Sequence, residues 1–205
     1  MNTITLNAAD LVSIATLYNY GDTSRAPITE DLAGVMVKVE NGQLTAAATD
    51  RYTLATYAAR VDDRDIASEF KLPITACKWI STNVKKGNKW STPAPVAIEI
   101  TDEEIAIQLE NTRATYANTP NRSLKLDRLM PLINEWKPAE TASPVMLNNK
   151  FLARITKLMD DFGRIEKATY ELGQLPNGAT NRPGPVRITA GSFRLLIQPN
   201  LFTTD

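Results

Sequence analysis

The sequence predicts an α+β fold assembled from three copies of one βαβββ unit, with its helices gathered on one face of antiparallel sheets. The first observation behind this is a recurring spacing. Counting from Leu6, Leu72 and Leu147, an apolar residue follows at +5, +8 and +12: Leu11, Ile14 and Tyr18; Cys77, Ile80 and Val84; Leu152, Ile155 and Met159. Such a spacing is one stripe of an α-helix, and its return at long intervals marks an internal repeat. The second observation is the residue that precedes each stripe. Asn7 and Asn148 can cap a helix start with a side-chain oxygen, and Pro73 brings a φ already suited to it. The third is the alternating apolar pattern of strands after each helix.

In chain order, Ile4-Thr5-Leu6 reads as a strand leading into the first helix. Val35, Val37 and Val39 alternate up to Asn41-Gly42, whose residues both tolerate positive φ and so predict a tight hairpin. Leu44 to Tyr57 supplies the return strand and a further one, separated by a polar corner at Thr49-Asp50. The second copy runs from Phe70-Lys71-Leu72 through its helix to Val96, Ile98 and Ile100. It then turns at Thr101-Asp102-Glu103 and continues through Ile105, Ile107 and Leu109. The third begins at Val145-Met146-Leu147 and ends with Val186-Arg187-Ile188, a turn at Ala190-Gly191-Ser192, and Phe193 to Ile197. Residues 1–120 are thus expected to form a complete domain of two units, 121–142 a connector, and 143–205 a half domain.

Composition bounds the function. A chain of 205 residues, 43% apolar and 22% charged, can bury a core and is not of a disordered type. Its 23 Lys and Arg balance 23 Asp and Glu, so contact with DNA has to come from a local basic face. The single cysteine, Cys77, forms no internal disulfide, which suits a reducing compartment. With no histidine, Ser-His-Asp triads, Cys-His dyads and His-bearing zinc sites are excluded. The start Met1-Asn2-Thr3-Ile4 lacks the basic and apolar regions of a signal peptide, and Leu11 to Gly21 is too short and polar to span a bilayer. A soluble, cytoplasmic protein is expected.

No catalytic constellation emerges. Asp62-Asp63-Arg64-Asp65 and Asp160-Asp161 are the acidic clusters that could attract Mg²⁺, but they read as a solvated loop and a helix end. Gly173, Gly178 and Gly184 lie in a polar, proline-containing loop instead of between a strand and a helix, so they do not cradle phosphate. Neither enzyme activity nor a cofactor is expected.

The stretch from Asp31-Leu32-Ala33-Gly34 through Gln43-Leu44 into Ala47-Ala48-Thr49-Asp50-Arg51-Tyr52-Thr53-Leu54-Ala55 resembles the bacterial DNA sliding clamp, the β subunit of the replicative polymerase. Ser123-Leu124-Lys125-Leu126-Asp127-Arg128-Leu129-Met130-Pro131 is similar to that family's interdomain segment, and βαβββ is its repeating unit. The resemblance implies a shortened, three-unit clamp of a compactness that suits a phage genome. It also implies a partner-peptide pocket, in which Leu32, Thr49, Arg51, Tyr52, Thr53 and Leu54 form one wall. Leu124, Arg128 and Leu129 of the connector, with Leu196 and Gln198 of the last strand, complete it. Leu32, Leu54, Leu124, Leu129 and Leu196 would be its apolar floor. The corner departs from the family at Arg51, where some clamps have a small residue, at Tyr52, in place of histidine, and at Thr53, in place of a frequent arginine.

In clamps the helices face the DNA. Lys150, Arg154 and Lys157 at i, i+4 and i+7 give the third helix a basic face, and Lys78, Lys85, Lys86 and Lys89 do so more loosely around the second. The expected function is a processivity factor that encircles or cradles double-stranded DNA without reading sequence and tethers a DNA polymerase. Other proteins with a clamp-binding motif, a clamp loader and further copies of the chain complete the expected partners. Matching the twelve units of family rings would take four chains. Two rival readings stand beside it: an adaptor that binds replisome peptides but not DNA, and a client of another clamp. The client reading rests on Gln198-Pro199-Asn200-Leu201-Phe202, which resembles the Gln-x-x-Leu-Phe peptide of clamp partners.

Overall fold

The computed structural model describes residues 1–21, 32–62, 66–84, 95–109, 112–119, 124–139, 147, 151, 153, 168–174 and 184–199. β1 (Asn2–Asn7) runs directly into α1 (Ala8–Thr16), where the Asn7 side chain accepts the Asp10 N–H at 2.7 Å. The last turn tightens to a 3₁₀ helix, Leu17–Tyr20. β2 (Val35–Glu40) and β3 (Gln43–Thr49) are joined through Asn41 and Gly42 at φ of 53° and 74°, the predicted tight hairpin. β4 (Thr53–Arg60) follows the polar corner.

In the second unit β5 (Ser68–Leu72) leads into α2 (Ile74–Asn83), with Pro73 at φ −66° as the residue before the helix. β6 (Pro95–Ile100), β7 (Glu104–Gln108) and β8 (Arg113–Ala117) form its meander. After α3 (Leu126–Asn134) come β9 (Thr169–Leu172), β10 (Val186–Ala190) and β11 (Phe193–Ile197), the last two turning at Gly191, φ 58°.

The strands assort into a four-stranded sheet, β1-β6-β7-β8, and a seven-stranded sheet, β5-β2-β3-β4-β11-β10-β9. The opening strand of each of the first two units therefore lies in the other's sheet: β1 pairs with β6 and β5 with β2, both antiparallel. The third unit joins the first through β4·β11, with Tyr57 opposite Phe193, Ala55 opposite Leu195 and Thr53 opposite Ile197. Tyr20 packs its ring on Phe193 across this joint, centroids 5.8 Å apart.

Alternation along the strands sorts side chains between two cores. Val35, Val37, Ala46, Ala48, Ala55, Leu195 and Ile197 face the main core with Leu11, Ile14, Cys77 and Ile80 of the first two helices. Met36, Ala47, Leu54 and Leu196 face the other way and pack with Leu126, Leu129 and Ile133 of α3. The strands at the joint are covered on both faces, which is why Ala46-Ala47-Ala48 and Leu195-Leu196-Ile197 read as unbroken apolar runs. Tyr57 donates to Asp10 Oδ1 at 2.7 Å, linking β4 to α1, and burial foremost pushes its phenol well above the usual tyrosine range.

One expectation changes. The connector is not featureless: it holds α3, on the face of the long sheet opposite α1 and α2, so the helices are not all on one side. Leu126, Leu129 and Ile133 have helical spacing, but Pro131 removes a backbone donor inside the helix and hides the signal. Burial of the apolar face, together with Lys38 on β2 bonded to Asp127 in the helix's first turn at 3.0 Å, holds it. Asp127 first and Glu40 second keep the Lys38 ammonium above the usual lysine range. α1, on the main-core face, carries Asp10 as its only charge. It is buried around most of its circumference, only Ala9 and Asp10 being half-exposed, so it offers little surface to a ligand.

The third unit's predicted opening strand and helix lie outside the described residues except Leu147, Phe151 and Ala153, of which Leu147 and Phe151 pack on the main core. Asp62 is exposed, while Asp63-Arg64-Asp65 and Asp160-Asp161 fall outside. Among the described residues no group of three or more His, Cys, Asp or Glu could hold a metal, and no helix is long and apolar enough to cross a membrane.

Gly34 adopts φ +112°, and a Cβ there would overlap the Leu72 carbonyl oxygen on β5. Gly191 also has positive φ, but open space surrounds it. Gly34→Ala is expected to cost about 3 kcal/mol through strain plus overlap, and Gly191→Ala about 1 kcal/mol from conformation alone. Urea unfolding midpoints of the two variants check the difference.

Candidate functional site at the β4·β11 joint

The corner between β3 and β4 is built by local hydrogen bonds. Asp50 Oδ1 accepts from the Tyr52 and Thr53 N–H groups at 3.1 and 2.8 Å and from the Thr53 hydroxyl at 2.8 Å. The Thr49 hydroxyl donates to the Thr53 carbonyl and accepts from Arg51 N–H at 3.1 Å. This tight wrap drives Arg51 to φ 76°, a conformation that glycine adopts without strain. Arg51 and Tyr52 are thereby thrust outward, Tyr52 to 64% exposure. The chain beyond β11 continues beside the corner, with Gln198 N–H donating to the Tyr52 carbonyl at 2.9 Å.

α3 lies across this joint, and between the two opens a cavity of about 630 Å³. Leu32, Thr49, Arg51, Tyr52, Thr53 and Leu54 line one side, Leu124 and Leu129 another, and Leu196 and Gln198 the end of β11. These are the side chains singled out in the sequence, with one exception. Arg128 does not line the cavity: it is exposed in the first turn of α3, one turn ahead of the lining residue Leu132. The leucines serve two purposes, since Leu54, Leu129 and Leu196 also belong to the small core that seats α3, each 5–8% exposed.

The far wall was not anticipated. It comes from the end of α3 and the loops it meets: Pro131, Leu132, Glu135, Trp136, Lys137, Gln174 and Pro185. Trp136 Nε1 donates to the Pro185 carbonyl at 3.0 Å, and the Arg187 guanidinium lies 3.9 Å from the centre of a Trp136 ring. Arg187 is itself held by Glu171 Oε2 at 2.8 and 3.1 Å. Gly173 makes room for the indole, as a Cβ there would overlap Trp136 Nε1. The chain after α3 then pairs with the end of β9, Ala139 N–H to the Leu172 carbonyl at 2.7 Å and Gln174 N–H to the Lys137 carbonyl at 2.9 Å. Gly173, set aside in the sequence as a phosphate-loop residue, has a packing role instead. A tryptophan one turn beyond Leu132 was the one signal in the sequence for this wall.

The cavity is lined mostly by apolar side chains, with Thr49, Arg51, Gln174 and Gln198 among the polar ones, a lining that can take apolar groups and fix their orientation. Tyr52 at 64% and Leu132 at 58% exposure are two of the four large hydrophobic side chains most exposed among the described residues, and both border it. Of the candidate DNA-facing residues, Lys78 is exposed on α2, whereas Lys85, Lys86, Lys89, Lys150, Arg154 and Lys157 lie outside the described residues.

No family model and no curated protein matches the sequence. Solved structures do. The chain is similar to the DNA polymerase sliding clamp of Bacillus subtilis, with a TM-score of 0.71 and 17% identity over 98% of this chain and 65% of that one. Against the DNA polymerase III β chain of Streptococcus pneumoniae the TM-score is 0.73 with 13% identity, again over 98% and 65%. The β subunit from Thermotoga maritima gives 0.68 with 11% identity, over 98% and 66%. The chain thus spans 65–66% of the length of these structures.

Asp50→Ala removes the acceptor of three hydrogen bonds and is expected to destabilise by about 2 kcal/mol. Arg51→Gly relieves the positive φ and is expected to be neutral or stabilising by up to about 1 kcal/mol. Opposite shifts of the thermal midpoint would verify that the corner is held by Asp50 against strain at Arg51.

Proposed function

We propose, from the fold of the bacterial DNA sliding clamp that extends over nearly the whole of this chain, a clamp function: a non-enzymatic processivity factor that encircles or cradles duplex DNA and tethers a DNA polymerase by a short peptide. The observation that carries this reading is the apolar cavity at the β4·β11 joint, with Tyr52 and Leu132 exposed at its border. A peptide seated there raises the effective concentration of polymerase at its template, so that a dissociated enzyme rebinds before it diffuses away. The same cavity would serve other proteins with a clamp-binding motif and a clamp loader. Contacts to DNA would be to phosphates, without sequence readout, from Lys78 and the basic positions Lys150, Arg154 and Lys157. Ring closure would require further copies of the chain.

One observation favours a second reading, an adaptor that binds peptides but not DNA. The net charge is zero and α1 is almost wholly buried, leaving α2 as the described helix with a charged residue toward solvent on the main-core side. The client reading has a specific obstacle: Gln198 is hydrogen-bonded to Tyr52 and lines the chain's own cavity, so the Gln-x-x-Leu-Phe segment would have to peel away first. Leu201 and Phe202 lie outside the described residues.

Fluorescence anisotropy with a labelled Gln-x-x-Leu-Phe peptide tests the cavity. Leu132→Ala and Tyr52→Ala are each expected to weaken binding about tenfold while leaving the unfolding midpoint unchanged, since both side chains are exposed in the free protein. Absence of peptide binding by the unmodified chain would sink the reading. Lys150, Arg154 and Lys157 replaced together by glutamine are expected to lower the slope of log affinity for DNA against log salt by about 3. Peptide binding with no salt-dependent DNA binding at all would favour the adaptor.

A further inference from the structure

We infer that Trp136 forms a second anchoring subsite of the cavity, one that receives an aromatic side chain carried by the partner peptide in addition to its Leu-Phe pair. The subsite rests on the reading of the cavity as a peptide site and adds a contact to it, since Trp136 stands outside the residues that the family resemblance implies. Apolar surface is spread unevenly over the lining. Leu54, Leu129 and Leu196 are each only 5–8% exposed, because they also seat α3, and so leave a ligand little area to cover. The far wall is the opposite case: Leu132 is 58% exposed, Pro131 is exposed and Trp136 is half-buried. A ligand that stopped at the near wall would leave all three in water.

The indole is fixed along one edge and over one face. Its Nε1 donates to the Pro185 carbonyl at 3.0 Å, the bare backbone of Gly173 lies against the same edge, and the Arg187 guanidinium sits 3.9 Å from a ring centre. With its one donor satisfied inside the protein, the ring offers a ligand carbon and π-electrons, and no hydrogen bond. The guanidinium draws π-density to its own side, so an electron-rich ring in offset or edge-on contact is a better match than an aliphatic group of equal bulk. Glu171 Oε2 holds Arg187 at 2.8 and 3.1 Å, so the ring is in place before a ligand arrives and little ordering remains to be done. Charge narrows the segment further. Arg51 and Lys137 line the cavity against the single carboxylate of Glu135, and none of the three is in an ion pair among the described residues. The lining is therefore net positive, with Lys137 next to Trp136 in the chain, which favours an acidic residue beside the aromatic one.

Fluorescence anisotropy compares the labelled Gln-x-x-Leu-Phe peptide with versions extended at either end by Asp and Tyr, and with controls in which Leu replaces that Tyr or Lys replaces that Asp. One Tyr extension is expected to bind the unmodified chain about tenfold tighter than the short peptide and about threefold tighter than its Leu control. Trp136→Leu is expected to abolish the preference for Tyr over Leu, whatever it does to affinity as a whole. Trp136→Phe, which keeps a ring but gives up the bond to Pro185, is expected to retain that preference, as is Tyr52→Ala, which removes the other exposed ring of the lining. Lys137→Glu is expected to reverse the preference for Asp over Lys. Urea unfolding confirms that each variant is folded. Extensions that add nothing to a short peptide that does bind, a preference for Tyr that survives Trp136→Leu, or one that is lost in Tyr52→Ala would each overturn the subsite and leave the cavity reading standing. Failure of every peptide, short and extended, would overturn the cavity reading and the subsite with it.

Discussion

The β4·β11 ladder is the interaction on which the rest of the molecule depends. Five backbone pairs, from Phe193–Tyr57 to Ile197–Thr53, merge the third unit into the sheet of the first. Without them the long sheet would end at β4, and the Tyr20–Phe193 contact and the second core around Leu54 and Leu196 would each lose one side. α3 would then have half a floor to lie on. The cavity exists because a helix crosses a sheet exactly where two units have been joined, so its walls come from segments far apart in sequence: the Thr49–Leu54 corner, the Leu124–Lys137 region and the Gln174, Pro185 and Leu196–Gln198 strand ends.

Strain and rigidity are distributed unevenly around that cavity. On one side Asp50 and Thr49 satisfy the backbone donors of the corner and hold Arg51 in a left-handed conformation, so its side chain leaves the sheet at a fixed angle. On the other, Glu171, Arg187 and Trp136 form a layered stack of ion pair, cation and ring that ends on the bare backbone of Gly173. Arg187 belongs to β10 and Glu171 to β9, opposite each other in register, so the stack extends sheet geometry outward into the wall. Asp50 on one side and Glu171 and Arg187 on the other stand outside the lining and preorganise it, which lowers the ordering cost of binding.

Much of the fold was legible because its signals are local. Leu11, Ile14, Cys77 and Ile80 mark helix faces by spacing, Asn41-Gly42 marks a hairpin by its tolerance of positive φ, and Asn7 marks a helix start by its side-chain acceptor. The near wall of the site was legible through resemblance of the corner to a family, down to Thr49, Tyr52 and Leu54. What escaped was non-local or masked by a contrary local signal. Nothing in β1 or β5 announces that each will pair in the other's sheet, since pairing partners are chosen by the whole fold. Pro131 argues against a helix that tertiary burial nonetheless stabilises. Arg128 shows the limit of transferring a residue by motif alone, because its position on α3 places it a turn short of the cavity.

The exchange of opening strands between the first two units bears on how such chains can change over generations. Because β1 completes one sheet and β5 the other, a gene that lost either unit would leave its companion with an incomplete sheet and an orphaned strand. The first two units therefore stand or fall together. The third unit follows a different rule, since Lys137–Ala139 already supplies the strand segment beside β9. That closure serves the β9 edge alone: removing the third unit would still strip β11 from β4 and take Leu196 from under α3, so the linker shields one side of the unit while the other side stays welded to the sheet.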